Sequence, residues 1–279
     1  MKITILCENL VGKLVGAGEH GFSAFIETGG EKFLFDTGSG HSVVANSLVL
    51  NKDLRNIKKI FLSHGHFDHS GGLPEVLKLR GQVDVHIHPH VFLDRIAVHK
   101  ENGEEKKRFV GIPYKKAYLE SLGANFILNS GFIEVEKGIF LTGEVPRKTL
   151  FEKPDPRLFS EINGKTAPDI FLDDQSLVLD TEKGLVLVLG CAHSGMINII
   201  DHVIRKTGKE NFKAILGGTH LDFLTPEQLE ESIKALKKMT IDKIGVSHCT
   251  GMRAAFRLQQ EFNDRFFHGC VGSVLEVQK

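Results

Sequence analysis

An excess of charge of either sign is missing from this chain: 35 lysines and arginines face 35 aspartates and glutamates. No broad basic face is expected, and nucleic acid is not favoured as a partner. Cysteine is sparse. Cys7, Cys191, Cys249 and Cys270 form no CxxC pair and no disulfide framework, which points to a reducing cytoplasm. No apolar run approaches the length that spans a bilayer, so no membrane contact is expected. The opening segment, Met1 to Leu6, is too short and too soon polar for a signal peptide. No sequence repeat is evident. What is present is ordinary for a globular chain: 279 residues, 41% hydrophobic and 25% charged. That length suits one large domain or two small ones.

One segment departs from this plain background. Lys58 to His69 is a short apolar run that ends in three histidines and an aspartate within six residues. Ile60 to Leu62 reads as a buried strand. In extended chain residues i and i+2 point the same way, so His64 and His66 can hold one metal ion together. Gly71-Gly72 and then Pro74, suited to a first helical turn, mark a sharp reversal. The turn can aim Asp68 and His69 at a second metal. Imidazole nitrogen with carboxylate oxygen suits zinc, and also iron or manganese.

The rest reads as alternating elements. Strands are expected over residues 2–7, 21–28 and 32–35, a helix over about 41–51, and a strand over 83–88. The stretch from about 89 to 170 is irregular and mixed, with a helix near 115–122 and strands near Phe126 and Ile139; it predicts an insertion or small subdomain that caps the site, with the charged run Lys100 to Arg108 as a solvated loop. After Asp169 the pattern is regular: strands over 176–180, 185–189, 212–216 and 243–247, and helices over about 196–206, 226–239 and 251–263. His193, His220 and His248 each follow one of these strands. In open α/β sheets functional residues gather beyond the carboxyl ends of strands, so these histidines are expected to converge on His64 to His69. His193 and His248 are read as ligands, and His220 as a ligand, proton donor or substrate contact.

The pattern H-x-H-x-D-H at His64 to His69 resembles the signature of the metallo-β-lactamase superfamily. The resemblance implies an α/β fold, an αββα sandwich of two packed mixed sheets with helices outside, and one domain over 1–279. It implies a metal site, most simply two zinc ions, with His64, His66 and His193 on one and Asp68, His69 and His248 on the other. Asp36, in Asp36-Thr37-Gly38, corresponds to the superfamily acid that supports the site loop through hydrogen bonds. The superfamily's bridging acid is missing: the expected strand end reads Gly190-Cys191-Ala192-His193. Cys191 or His193 takes that place, or Asp173-Asp174 supplies the carboxylate, with Asp174 the candidate.

The chain also resembles a narrower group, the 7,8-dihydropterin-6-methyl-4-(β-D-ribofuranosyl)-aminobenzene-5′-phosphate synthases. The matching pieces include Leu141 to Arg147, Gly190 to Gly195, Gly217 to Leu221 and His248 to Gly251. Glu144 and Arg147 are candidate contacts for a phosphate-bearing substrate, arginine as a forked donor. The leading expectation is metal-assisted hydrolysis of a small molecule such as a phosphoester, with Asp68 and His220 catalytic. A synthase or transferase of pterin-type cofactor biosynthesis and an iron-containing redox protein are the alternatives. The oligomeric state is not legible.

Overall fold

Alternation along the strands decides the architecture. In the computed structural model, which describes residues 1–162 and 164–277, Gly184–Leu189 turns Val186 and Val188 to one side and Leu185, Leu187 and Leu189 to the other. Both faces are buried, which only a strand covered on both sides permits. Val186 and Val188 meet Ile3, Ile5, Phe33, Phe35 and Phe61 of a second sheet. The three leucines meet helices Met196–Thr207, Pro226–Leu236 and Met252–Phe262. On the far side Leu34, Ile60 and Leu62 pack against Val43–Val49, Leu73–Arg80 and Lys116–Ser121. The layers are therefore αββα, as expected. Each fully buried aliphatic side chain contributes about 1.5–3 kcal/mol to this packing.

The first sheet has seven strands in the order Val274–Glu276, Lys2–Cys7, Ser23–Thr28, Glu31–Phe35, Lys59–Phe61, Val83–Ile87, Ala124–Leu128. The last four run parallel to one another, and the first four pair antiparallel. The second runs Phe266–His268, Ile244–Ser247, Asn211–Gly218, Gly184–Leu189, Leu177–Thr181, Ile139–Leu141, Ile133–Glu136, with Thr240–Ile241 paired beside Asn211–Gly218. Lys59–Phe61, Gly184–Leu189, Asn211–Gly218 and Ile244–Ser247 each end just before a candidate site residue.

The 89–170 stretch corrects two expectations. The charged run is not a loop: Asp94–Glu101 and Glu104–Phe109 form a hairpin, flanked by Leu158–Ile162 and Lys165–Pro168 in a four-stranded sheet. Glu104–Phe109 is exposed throughout, so it carries no apolar alternation to betray a strand. Nor is the stretch one block. Ala124–Leu128 closes the first sheet, and Ile133–Glu136 and Ile139–Leu141 belong to the second. No described helix is long and apolar enough to cross a membrane.

Candidate metal centre

The chain leaves Lys59–Phe61 through Ser63, His64 and Gly65, then enters a four-residue helix, Phe67–Ser70, that carries Asp68 and His69. Asp36 holds this loop. Its Oδ1 accepts from the Ser63 amide at 2.7 Å and its Oδ2 from the Ser63 hydroxyl at 2.7 Å. The same Oδ2 lies 2.6 Å from His69 Nδ1. His69 therefore donates from Nδ1 and turns Nε2 inward, to 3.0 Å from Cys191 Sγ. Ser63 Oγ likewise takes His64 Nδ1 at 2.8 Å, leaving His64 Nε2 3.0 Å from His66 Nδ1. Asp36 thus ties the strand end and the short helix together through hydrogen bonds.

The second sheet delivers the remaining groups from its strand ends. The His193 ring stands 4.9 Å from both His64 and His66 and stacks on Phe171 at 4.0 Å. His248 turns Nδ1 to Asn9 Oδ1 at 3.0 Å, and its amide donates to Glu8 Oε1. Its Nε2 lies 3.0 Å from Asp68 Oδ2 without hydrogen-bond alignment. Asp36, Ala192, His220 and His248 all have positive φ, 58°, 55°, 55° and 51°. Such non-glycine conformations cost about 1–3 kcal/mol each and persist where the surroundings overdetermine them.

Four sets of three residues bring ligand atoms within 4.8 Å: His64, His66 and His193; His64, His69 and Cys191; Cys191, His248 and Cys249; His20, Asp68 and His248. They share His64, Cys191 and His248, so they make one continuous patch with two ends. The first set is the expected one. At the other end the expected trio is divided: His69 falls in a set with His64 and Cys191, Asp68 and His248 in a set with His20, and Cys191 also joins His248 and Cys249. The Cys191 thiol occupies the place where the missing acid was sought.

The donor set fits a divalent cation. Nε2 of His66, His193 and His248 is buried with no hydrogen-bond partner, which is costly unless something else binds there. Burial holds His64 and His193 well below the usual histidine range and His66 at about 3, so their lone pairs stay free of protons. Burial opposes ionisation of Asp68, but contacts with His20 and His248 outweigh it and keep the carboxylate charged. Burial likewise opposes charge on His69, yet Asp36 raises it to about 9.

Three candidates point elsewhere. Asp174 spends Oδ2 on the Ser194 amide at 2.7 Å and joins no metal-competent set among the described residues; it braces the His193 loop instead. Arg147 Nη2 donates to the His193 carbonyl at 2.5 Å, and Glu144 meets His88 at 3.2 Å. Neither lines the cavity of about 300 Å³ that opens over the patch. Three residues escape the sequence reading. His20, 3.2 Å from Asp68, sits in an irregular loop with no local signal. Cys249 reads as packing. Asp155, between two prolines, holds His220 Nε2 at 3.0 Å.

Residues 16–196 match the metallo-beta-lactamase superfamily. The chain belongs to that superfamily. A 7,8-dihydropterin-6-methyl-4-(beta-D-ribofuranosyl)-aminobenzene-5′-phosphate synthase of Methanocaldococcus jannaschii is 33% identical over 269 residues, 92% of this chain and 90% of that protein. An uncharacterized protein of the same organism is 33% identical over 282 residues, 99% of this chain and all of that one. Among solved structures, a metal-dependent hydrolase of the β-lactamase superfamily superposes with a TM-score of 0.85 at 27% identity, over the full length of both chains. The superfamily and its narrower group were thus legible in the motifs.

Proposed function

We propose that the chain is a metal-dependent hydrolase of a small phosphate-bearing compound. One observation carries this reading: imidazoles from separate strand ends converge with buried, unpartnered ring nitrogens at the floor of a cavity. His64, His66 and His193 would hold one cation; Asp68, His69 and His248, with Cys191 in reach, a second. Nitrogen and sulfur donors together would favour zinc over manganese, while iron remains compatible with the histidines. A bound cation of this kind lowers the pKa of water from about 15.7 to about 7. Asp68, ionised and turned toward the cavity, orients the attacking water. His220 stands on the cavity wall with Nδ1 free and Nε2 on Asp155. Burial opposes its charge, but Asp155 raises it to about 9, so at neutral pH it has a proton to give a leaving oxygen. The small sheet caps the cavity and limits water.

Elemental analysis of protein purified without added metal, paired with assays on a phosphodiester, a phosphomonoester, a lactone and a thioester, tests the proposal. One or two metals per chain and metal-dependent turnover of a phosphate ester support it. Less than one metal, unchanged by His66→Ala, removes it. The 33% identity to the pterin-pathway synthase over most of both chains favours a second reading, a synthase acting on a ribosyl phosphate. A pterin or ribosyl phosphate recovered from native protein would select that one.

A further inference from the structure

The wall of the cavity opposite the histidines is the small sheet, and its register sets out a row of side chains. Ala97 pairs with Arg108 on one side and Leu158 on the other. Directly paired residues share a face, and all three line the cavity. His99, two residues from Ala97, lines it as well. Neighbouring strands lie about 4.8 Å apart, so Arg108 and Leu158 stand about 10 Å apart with the small Ala97 leaving room between them.

Two guanidinium groups flank this space. Arg108 lies over the Phe67 ring at 5.0 Å and Arg157 over Phe223 at 4.9 Å; both rings line the cavity too. Stacking fixes a guanidinium plane while leaving its N–H edge free. The two differ in one respect. Arg157 is engaged by Asp155 at 2.9 Å and 2.5 Å, whereas Arg108 has no acidic partner among the described residues. The two arginines give this wall more positive charge than Asp155 alone balances. A carboxylate needs one fork; a phosphate offers two charges and three oxygens to such a wall.

We propose that Arg108 is the phosphate-holding, specificity-determining residue of the cavity, with Arg157 as its partner across the row. The substrate would then be a phosphorylated compound whose apolar body lies against Phe67, Phe223 and Leu158. This rests on the functional reading above and assigns its substrate contact to the small sheet, in place of Glu144 and Arg147.

The test is calorimetric binding of phenyl phosphate and of phenylacetate to the full chain, zinc-loaded and again metal-stripped. Variants Arg108→Gln and Arg108→Lys are compared with wild type, with metal content measured on each. Arg108→Gln is expected to weaken phenyl phosphate about tenfold in both states without changing metal content, and Arg108→Lys to recover only part of the loss. Unchanged binding in Arg108→Gln, or tighter binding of phenylacetate than of phenyl phosphate, overturns the proposal. Arg108-dependent binding in a chain that takes up no metal would sink the hydrolase reading and leave this one standing.

Discussion

Asp36 shows how much can rest on one buried carboxylate. It satisfies a backbone amide, a hydroxyl and an imidazole at once, all of them fully buried. Asp36→Ala leaves the buried Ser63 amide without its acceptor and removes the carboxylate from the Ser63 hydroxyl and the His69 imidazole. We expect a loss of about 3 kcal/mol or more in urea unfolding, together with loss of metal. His66 and His193 make a narrower prediction. Each to alanine should remove metal and leave the circular dichroism spectrum intact, because each presents a nitrogen that nothing in the protein uses. His86 is the control. It is also buried without a partner, but it packs against Phe61 outside the patch, so His86→Ala should leave metal content alone.

At the scale of the element, the loop after Lys59–Phe61 depends on Gly65 lacking a side chain. A Cβ there would come within 2.0 Å of the Val91 carbonyl oxygen. Gly65→Ala must displace backbone, and we expect at least about 2 kcal/mol of destabilisation by calorimetry, with the metal loop disordered. Helix Met196–Thr207 supplies a pH test. Glu152 receives the Ile197 and Asn198 amides at 2.7 and 2.8 Å from the start of this helix. Burial nevertheless raises its carboxyl from 4.5 to about 7. Between those values the folded chain keeps a proton that the unfolded chain has lost. Stability therefore falls as pH rises through that window, by on the order of 3 kcal/mol. Glu152→Gln cannot titrate, so this slope should be absent from its unfolding free energies measured at about pH 5 and about pH 7.5.

For the molecule as a whole, the patch joins the two sheets: His64, His66, Asp68 and His69 follow a strand of one, Cys191, His193 and His248 follow strands of the other. A cation bound there stabilises the folded chain alone. At a thousandfold excess over its dissociation constant the gain is about 4 kcal/mol. Chelation should lower the melting temperature of wild type accordingly, and barely change that of a His64→Ala, His66→Ala double variant. Much of this was legible in the chain itself, because strands buried on both faces read as unbroken apolar runs, and the short run Leu185 to Leu189 between Gly184 and Gly190 fits that pattern. The histidines after those runs marked the site by the same logic. Less was legible where short or polar strands lack a pattern. Phe266–His268 and Val274–Glu276 are three residues each, and Glu104–Phe109 has no buried face. Local sequence therefore determined the layers, the superfamily and most of the residues that gather in the patch, since burial periodicity and residue chemistry are properties of neighbours along the chain. Only the tertiary structure decided that Cys191 stands between His69 and His248 in the patch, that Arg147 braces His193, and that Arg108 faces the cavity. Those choices depend on which side chains distant strands bring within a few ångströms, and nothing in the spacing of residues encodes that distance.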